Sequence, residues 1–206
     1  MHLVFEDLVS LTVMEKLISL HPESLSVQSR INAHGFGNIR RELPRYNKAA
    51  VKLPFFVLTD LDTASCPPEW LSAWLPKGQA PKLLFRVAVR EVVSWILADR
   101  AGFAEFLGIS AANFKQPPDT LPDPKREIFR LTRKSRSRDL KEDILPGKEA
   151  AIGSGYNFVI PKFIRQAWSP ERARIQSPSL DRALTALSTF ATRQPLNAQG
   201  SDPERG

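Results

Sequence analysis

The sequence predicts an α/β fold: a four-stranded, mainly parallel sheet flanked by helices, with a helical C-terminal extension. Three observations predict it. Over the first hundred residues, short apolar runs alternate four times with stretches of helical periodicity. The run Phe55-Phe56-Val57-Leu58 has no polar alternation, as expected for a strand buried on both faces. Three of the apolar runs stop in acid: at Glu6, at Asp60 with Asp62, and at Arg90-Glu91. In a parallel sheet these stops share one edge, the edge where α/β proteins gather ligands and catalytic groups.

Leu3-Val4-Phe5 is the first strand. Val9, Val13, Met14, Leu17, Ile18 and Leu20 recur at helical spacing until His21-Pro22 closes the helix. Ser24 to Ile31 alternates and reads as the second strand. Asn32 to Asn38 is a glycine-bearing loop, and a helix from about Ile39 to Ala50 is broken by Pro44 or started after it. Phe55 to Leu58 is the third strand. Cys66-Pro67-Pro68 starts a helix that carries Glu69 to Leu75 as far as Pro76. Lys82 to Val89 is the fourth strand, followed by a helix with Val92, Trp95, Ile96 and Ala98 on its apolar face. Right-handed crossovers should join the strands.

Beyond Asp99 the strands end. Arg100 to Gly108 is a short helix stopped by glycine, and Gln116 to Asp119 is a loop. Pro122-Asp123-Pro124 opens a helix with Ile128, Phe129 and Leu131 apolar. Gly147 to Gly155 is glycine-spaced, weak evidence for phosphate binding and more often a plain turn. Phe158 to Trp168 is helical, and a last helix starts at Pro178-Ser179-Leu180, with Ser179 as its expected cap. The chain therefore divides into an α/β core over 1–100, a helical extension packed on it over 101–191, and a disordered tail over 192–206.

The net charge of +7 and pI near 9.8 point to a polyanionic partner, nucleic acid first. The segment Lys125 to Lys141 holds eight basic residues against two acidic ones and carries most of that excess. A solvated helix face is the ordinary outcome for such a run; a phosphate-contacting strip is the functional one. Cys66 is the only cysteine, so no intramolecular disulfide forms, which fits a reducing cytoplasm. The N-terminal residues have no signal-peptide pattern, and no apolar run approaches bilayer length.

Asp60 and Asp62, two residues apart at a strand end, repel unless a cation or protons intervene. An all-oxygen donor set suits a hard ion such as Mg2+, with Mn2+ as its substitute. Turn chemistry is the competing account of Asp62, which would then cap the following helix. His2, His21 and His34 sit in no catalytic constellation, and Cys66 has no partner histidine pattern. Trp70, Trp74 and Trp95 fall at helical intervals and belong to the core, while Trp168 is less clearly placed.

Together, Glu6 after the first strand and Asp60-Leu61-Asp62 after the third resemble the Toprim fold, a Rossmann-like module of topoisomerases, primases and the OLD-type nucleases. The stretch Arg86 to Asp99 resembles the signature of a bacterial Toprim-like family, the domain of unknown function numbered 4276. The resemblance continues in Leu121–Phe129, Gly153–Ile164 and Trp168–Leu184. It implies a metal-dependent nuclease in which Asp60 and Asp62 hold the ion. Glu6 would be a further ligand or the general base, Glu91 would complete a second metal position, and Arg90 would offset charge at the scissile phosphate. Lys125 and Lys148 stand behind Arg90 for that role. Arg130, Arg133, Lys134, Arg136 and Arg138 would contact nucleic acid, DNA first. The family's members resemble accessory genes beside ATPases in phage-defence or mobile-element loci, which implies an ATPase partner; a homo-oligomer is compatible. The usual motif has glycine after its glutamate, and here Asp7 stands there. That departure, with the lack of a histidine base, supports the alternative of an inactive Toprim-like binding subunit of an ATPase or nucleic-acid complex.

Overall fold

The computed structural model describes residues 1–61 and 72–193. Four strands form one sheet: β1 (His2–Phe5), β2 (Ser29–Asn32), β3 (Phe55–Asp60) and β4 (Leu83–Ala88), in the order β2-β1-β3-β4. Every pairing is parallel, so the expected "mainly parallel" sheet is wholly so. Helices α1 (Leu8–Ile18) and α2 (Phe36–Ala49) join the first three strands, and α3 (Val92–Ala98) follows β4. The extension adds α4 (Arg100–Leu107), α5 (Pro124–Thr132), α6 (Arg138–Ile144), α7 (Tyr156–Gln166), α8 (Pro170–Ala173) and α9 (Pro178–Thr192).

The period of two along each strand sends alternate side chains to opposite faces. Val4, Phe55, Val57, Leu83 and Phe85 pack with Ile39 and Leu43 of α2 and with Trp74. Leu3, Phe5, Phe56, Leu58, Leu84 and Ala88 face the other way, into a larger cluster built from α1, α3 and the extension. The extension is continuous with that cluster: Phe103, Ile128, Phe163, Trp168, Leu180 and Leu187 all belong to it. Trp168, the least certain of the four tryptophans, is a core residue at 1% exposure. Its indole N–H donates to the Trp95 carbonyl (3.1 Å), and the Trp95 indole donates to Ser179 Oγ (2.7 Å). Both rings are therefore buried with their polar handle satisfied.

Several boundaries differ from those expected. β2 starts at Ser29 rather than Ser24, because Leu25 and Val27 reach the core from an irregular segment and only Ser29 onward pairs with β1. α2 starts at Phe36, inside the expected loop, and passes through Pro44 without a break. Pro44 is exposed, so the carbonyl that its missing N–H would have bonded lies on the solvent face. α9 is capped by Ser177, whose Oγ accepts from the Leu180 amide (3.2 Å), and not by Ser179, whose hydroxyl is taken by Trp95. α6 and α8 were not expected. Each is short and opens on a serine cap, Ser137 and Ser169 respectively. The expected Cys66–Leu75 helix is described only in its last turn, and Cys66, Trp70 and Asp62 lie outside the described residues. α9 ends at Thr192, and the tail from 194 also lies outside them. Among the described residues no helix is long and apolar enough to cross a membrane.

Candidate functional site

The parallel register places the carboxyl ends of β1, β3 and β4 along one edge. Val4 stands opposite Val57, so Glu6 arrives level with Thr59. There Glu6 Oε1 accepts hydrogen bonds from Thr59 Oγ1 (2.5 Å) and from the Asp60 amide (3.0 Å). Two strand ends more than fifty residues apart in the chain are thus tied by one carboxylate. Asp60, the last residue of β3, aims its own Oδ1 at the other side of the edge. It accepts there from the Val92 amide (2.8 Å), the first residue of α3. Leu61 closes the gap toward β4: its amide donates to the carbonyls of Ala88 (2.9 Å) and Arg90 (3.0 Å).

The electrostatics at Asp60 are unfavourable to a bare carboxylate. The residue keeps part of its surface exposed, yet its carboxyl lies deep enough that desolvation pushes its pKa well above the ordinary aspartate range. The bond from Val92 opposes this, and the negative charges of Glu6, Asp7 and Glu91 reinforce it. No arginine or lysine among the described residues forms an ion pair with Asp60. The charges come from three separate chain segments, and all act on the Asp60 carboxyl.

Part of the arrangement is ordinary capping. Asp7 Oδ1 accepts from the Ser10 amide (2.8 Å) and starts α1, which accounts for an aspartate at that position without any ligand. α1 and α3 both begin at this edge, so their positive ends partly offset the negative charge. A third helix, α7, brings Tyr156 to it. Tyr156 is 2% exposed, its ring meets Phe129 edge-on at 6.3 Å, and its buried hydroxyl has no hydrogen-bond partner among the described residues. Burial and the charges of Asp7 and Glu91 raise its pKa.

Among the described residues no three histidine, cysteine, aspartate or glutamate side chains stand together in a group that could hold a metal ion. The donor chemistry nonetheless fits a hard divalent cation: the converging groups are all carboxylates, and Asp60 gains from any positive charge placed beside it. Glu91 precedes α3, and Arg90 sits beside it in the turn after β4, partly buried.

The other expected site residues divide by their partners. Arg130 is held by Glu127 (2.6 Å) and donates to the Asn113 carbonyl (2.8 Å); Lys134 donates to Asn113 Oδ1 (2.9 Å); Arg138 pairs with Glu142 (2.8 Å). Arg133 and Arg136 are exposed. Arg126, Arg130 and Arg133 form a stripe along α5 that lines an open groove of about 430 Å³, with Asp123 and Glu127 among them. Lys125 is partly buried and Lys148 exposed. The glycines before α7 serve packing: a Cβ on Gly153 or Gly155 would overlap Asp143. Sequence reasoning missed Thr59 and Tyr156. Thr59 carried a weak signal, as the first polar residue after an apolar strand; Tyr156 carried none.

No family model, curated protein or solved structure matches the chain, so the fold rests on its topology and any function on the chemistry of this edge.

Proposed function

We propose that the chain is a Mg2+- or Mn2+-dependent nuclease of the Toprim type, hydrolysing phosphodiester bonds in nucleic acid. The observation that carries this is the convergence at the end of β3. Glu6 reaches across from β1 to the Asp60 amide, and the charges of Glu6, Asp7 and Glu91 bear on the Asp60 carboxyl. Asp60 and Asp62 would hold the cation, Glu6 would keep Asp60 in place or join it, and Glu91 would serve a second position. When bound, the metal supplies Lewis-acid chemistry: an activated water and a steadied leaving oxygen. Arg90, in the turn after β4, offsets charge on the phosphate. The basic stripe of α5 and the net charge of +7 draw a polyanion toward the molecule. A partner ATPase and a role in phage defence or mobile elements are what the family resemblance adds.

The test compares wild type with Asp60→Asn, which retains an acceptor for the Val92 amide. Wild type should melt higher with Mg2+ or Mn2+ by mass action and cleave DNA or RNA in their presence. The variant should lose the metal-dependent shift, and its cleavage should fall by about two orders of magnitude or more. Undiminished cleavage by Asp60→Asn rejects the assignment.

A second reading, a binding subunit without catalysis, is favoured by one observation: Glu6 already has two donors on one oxygen and acts as a tie between strands. A wild-type protein whose melting neither metal moves supports that reading over the first.

A further inference from the structure

The outer face of α7 carries three side chains in line. Phe158, Lys162 and Arg165 recur at i, i+4 and i+7, the spacing that sets residues on one side of a helix, and all three are exposed. The opposite face, with Tyr156, Ile160, Phe163 and Ile164, is taken up by the core. Phe158 is 71% exposed, whereas every other phenylalanine, tyrosine and tryptophan among the described residues is buried or half-buried. A single exposed apolar side chain is ordinary on a protein surface; the setting of this one is not. No acidic residue occurs between Glu149 and Glu171. Neither Lys162 nor Arg165 forms an ion pair among the described residues. Lys16 of α1 adds a third cation beside them: its Nζ donates to the Arg165 carbonyl (3.1 Å), and Arg165 Nη2 reaches Thr12 Oγ1 (3.5 Å). That lysine also offsets the negative end of α7, so the field over the stripe stays positive.

We infer that this stripe is a binding surface for single-stranded nucleic acid, on which an unpaired base stacks against Phe158 and neighbouring phosphates meet Lys162 and Arg165. At about 1.5 Å per residue the two charges lie roughly 6 and 10.5 Å along the helix axis from the ring. A strand running along α7 therefore meets an apolar plane and then two cations in turn. Aromatic faces and cations in series hold single strands with little regard to sequence, because every base has a π face. A duplex gives the ring nothing to stack on, since its bases are paired and stacked inside, so the surface selects single strands. A partner helix would need more apolar area than one ring supplies, and the positions one and two turns on from Phe158 are charged. The arginines of α5 lack this combination: two acids stand among them, and no exposed aromatic does. The inference rests on the nucleic-acid partner proposed above and not on the metal chemistry, so it holds for a nuclease and for a binding subunit alike.

The experiment measures binding of the full chain in EDTA by fluorescence anisotropy, with a labelled oligothymidine and with a duplex of the same length. Wild type should prefer the single strand. Phe158→Ala should weaken single-strand binding by about 10-fold or more. Its duplex binding and melting temperature should stay level, because the ring it removes lies in solvent. Phe158→Trp should bind at least as tightly as wild type, and Phe158→Leu, apolar but without a π face, should not. The pair Lys162→Ala and Arg165→Ala should flatten the salt dependence of log K by about 0.7 for each charge removed, a slope that Phe158→Ala leaves unchanged. Undiminished single-strand binding by Phe158→Ala overturns the proposal, as does a wild type that binds neither form or both equally. Binding by Phe158→Leu equal to that of Phe158→Trp overturns it too, by making the ring plain apolar surface. So does a self-association of wild type that Phe158→Ala abolishes, which makes the face an interface between copies. Wild type that cleaves with Mn2+ while Phe158→Ala binds normally removes this surface and leaves the nuclease. Wild type that binds through Phe158 and never cleaves leaves the surface and removes the nuclease.

Discussion

Asp60 and Asp99 are two aspartates withdrawn from solvent at the ends of regular elements, and their surroundings are opposite. Asp99 follows α3 at 1% exposure. Its carboxylate accepts from the Gly102 amide (3.1 Å), the Ser169 amide (2.9 Å), and Nε and Nη2 of Arg172 (2.8 and 2.7 Å). It caps α4, anchors the start of α8 and pairs with a guanidinium. Asp60 receives one amide bond, from Val92, and otherwise faces three negative charges. A buried charge with complete partners is a fastening; one surrounded by its own sign is held ready for something positive. The contrast separates a fully partnered carboxylate from an under-partnered one more sharply than exposure does.

The largest effect should come from breaking the fastening. Asp99→Ala leaves two backbone N–H groups and a guanidinium without their acceptor at a buried junction, and should cost about 3–5 kcal/mol. For a chain of this size that lowers Tm by about 6–20 °C, measurable by circular dichroism. A Tm within about 2 °C of wild type would remove the structural half of the comparison. Arg172→Ala should act in the same direction but less, about 1–3 kcal/mol. Its side chain is 52% exposed, so water replaces part of what Asp99 loses, and the two amide bonds remain. If the arginine variant is the more damaging of the two, Asp99 is not the hub that its four bonds imply.

The fold was legible in the residues because parallel strands announce themselves. Uninterrupted apolar runs such as Phe55–Leu58 cannot be half-exposed, and their alternation with helical spacing leaves few topologies. The acidic stops at Glu6 and Asp60 were legible for the same reason, since a strand's last polar residue lies at the sheet edge. What was not legible depended on contacts made at a distance. Nothing near Asp99 in the chain announces Arg172, more than seventy residues later. Tyr156 reaches the edge only because α7 packs along α1. The basic strip was legible only as a charge count, which cannot tell Arg130, paired with Glu127 three residues away, from Arg133, which is exposed. Pro44 in α2 shows the same limit at the level of local rules, because the helix runs on through it with the proline on its exposed side.

The smallest expected effect has the most informative sign. The pKa of Asp60 in the folded protein is raised by desolvation and by Glu6, Asp7 and Glu91, so between its unfolded and folded values the native state holds a proton that the unfolded chain gives up. The contribution of this group to stability is therefore fully present below the ordinary aspartate range and declines as pH rises through the folded value. Asparagine does not titrate and keeps an acceptor for Val92. In metal-free buffer, Asp60→Asn should thus gain melting temperature relative to wild type as pH rises from 4 to 8, where removal of a native aspartate usually costs stability. Differential scanning in EDTA at several pH values measures this directly. A variant that instead loses ground with rising pH would mean that Asp60 is stabilised in its charged form, like an ordinary paired carboxylate, and the distinction from Asp99 would disappear. The same titration repeated with Mn2+ should reverse the order, because only the wild-type carboxylate gains from the cation.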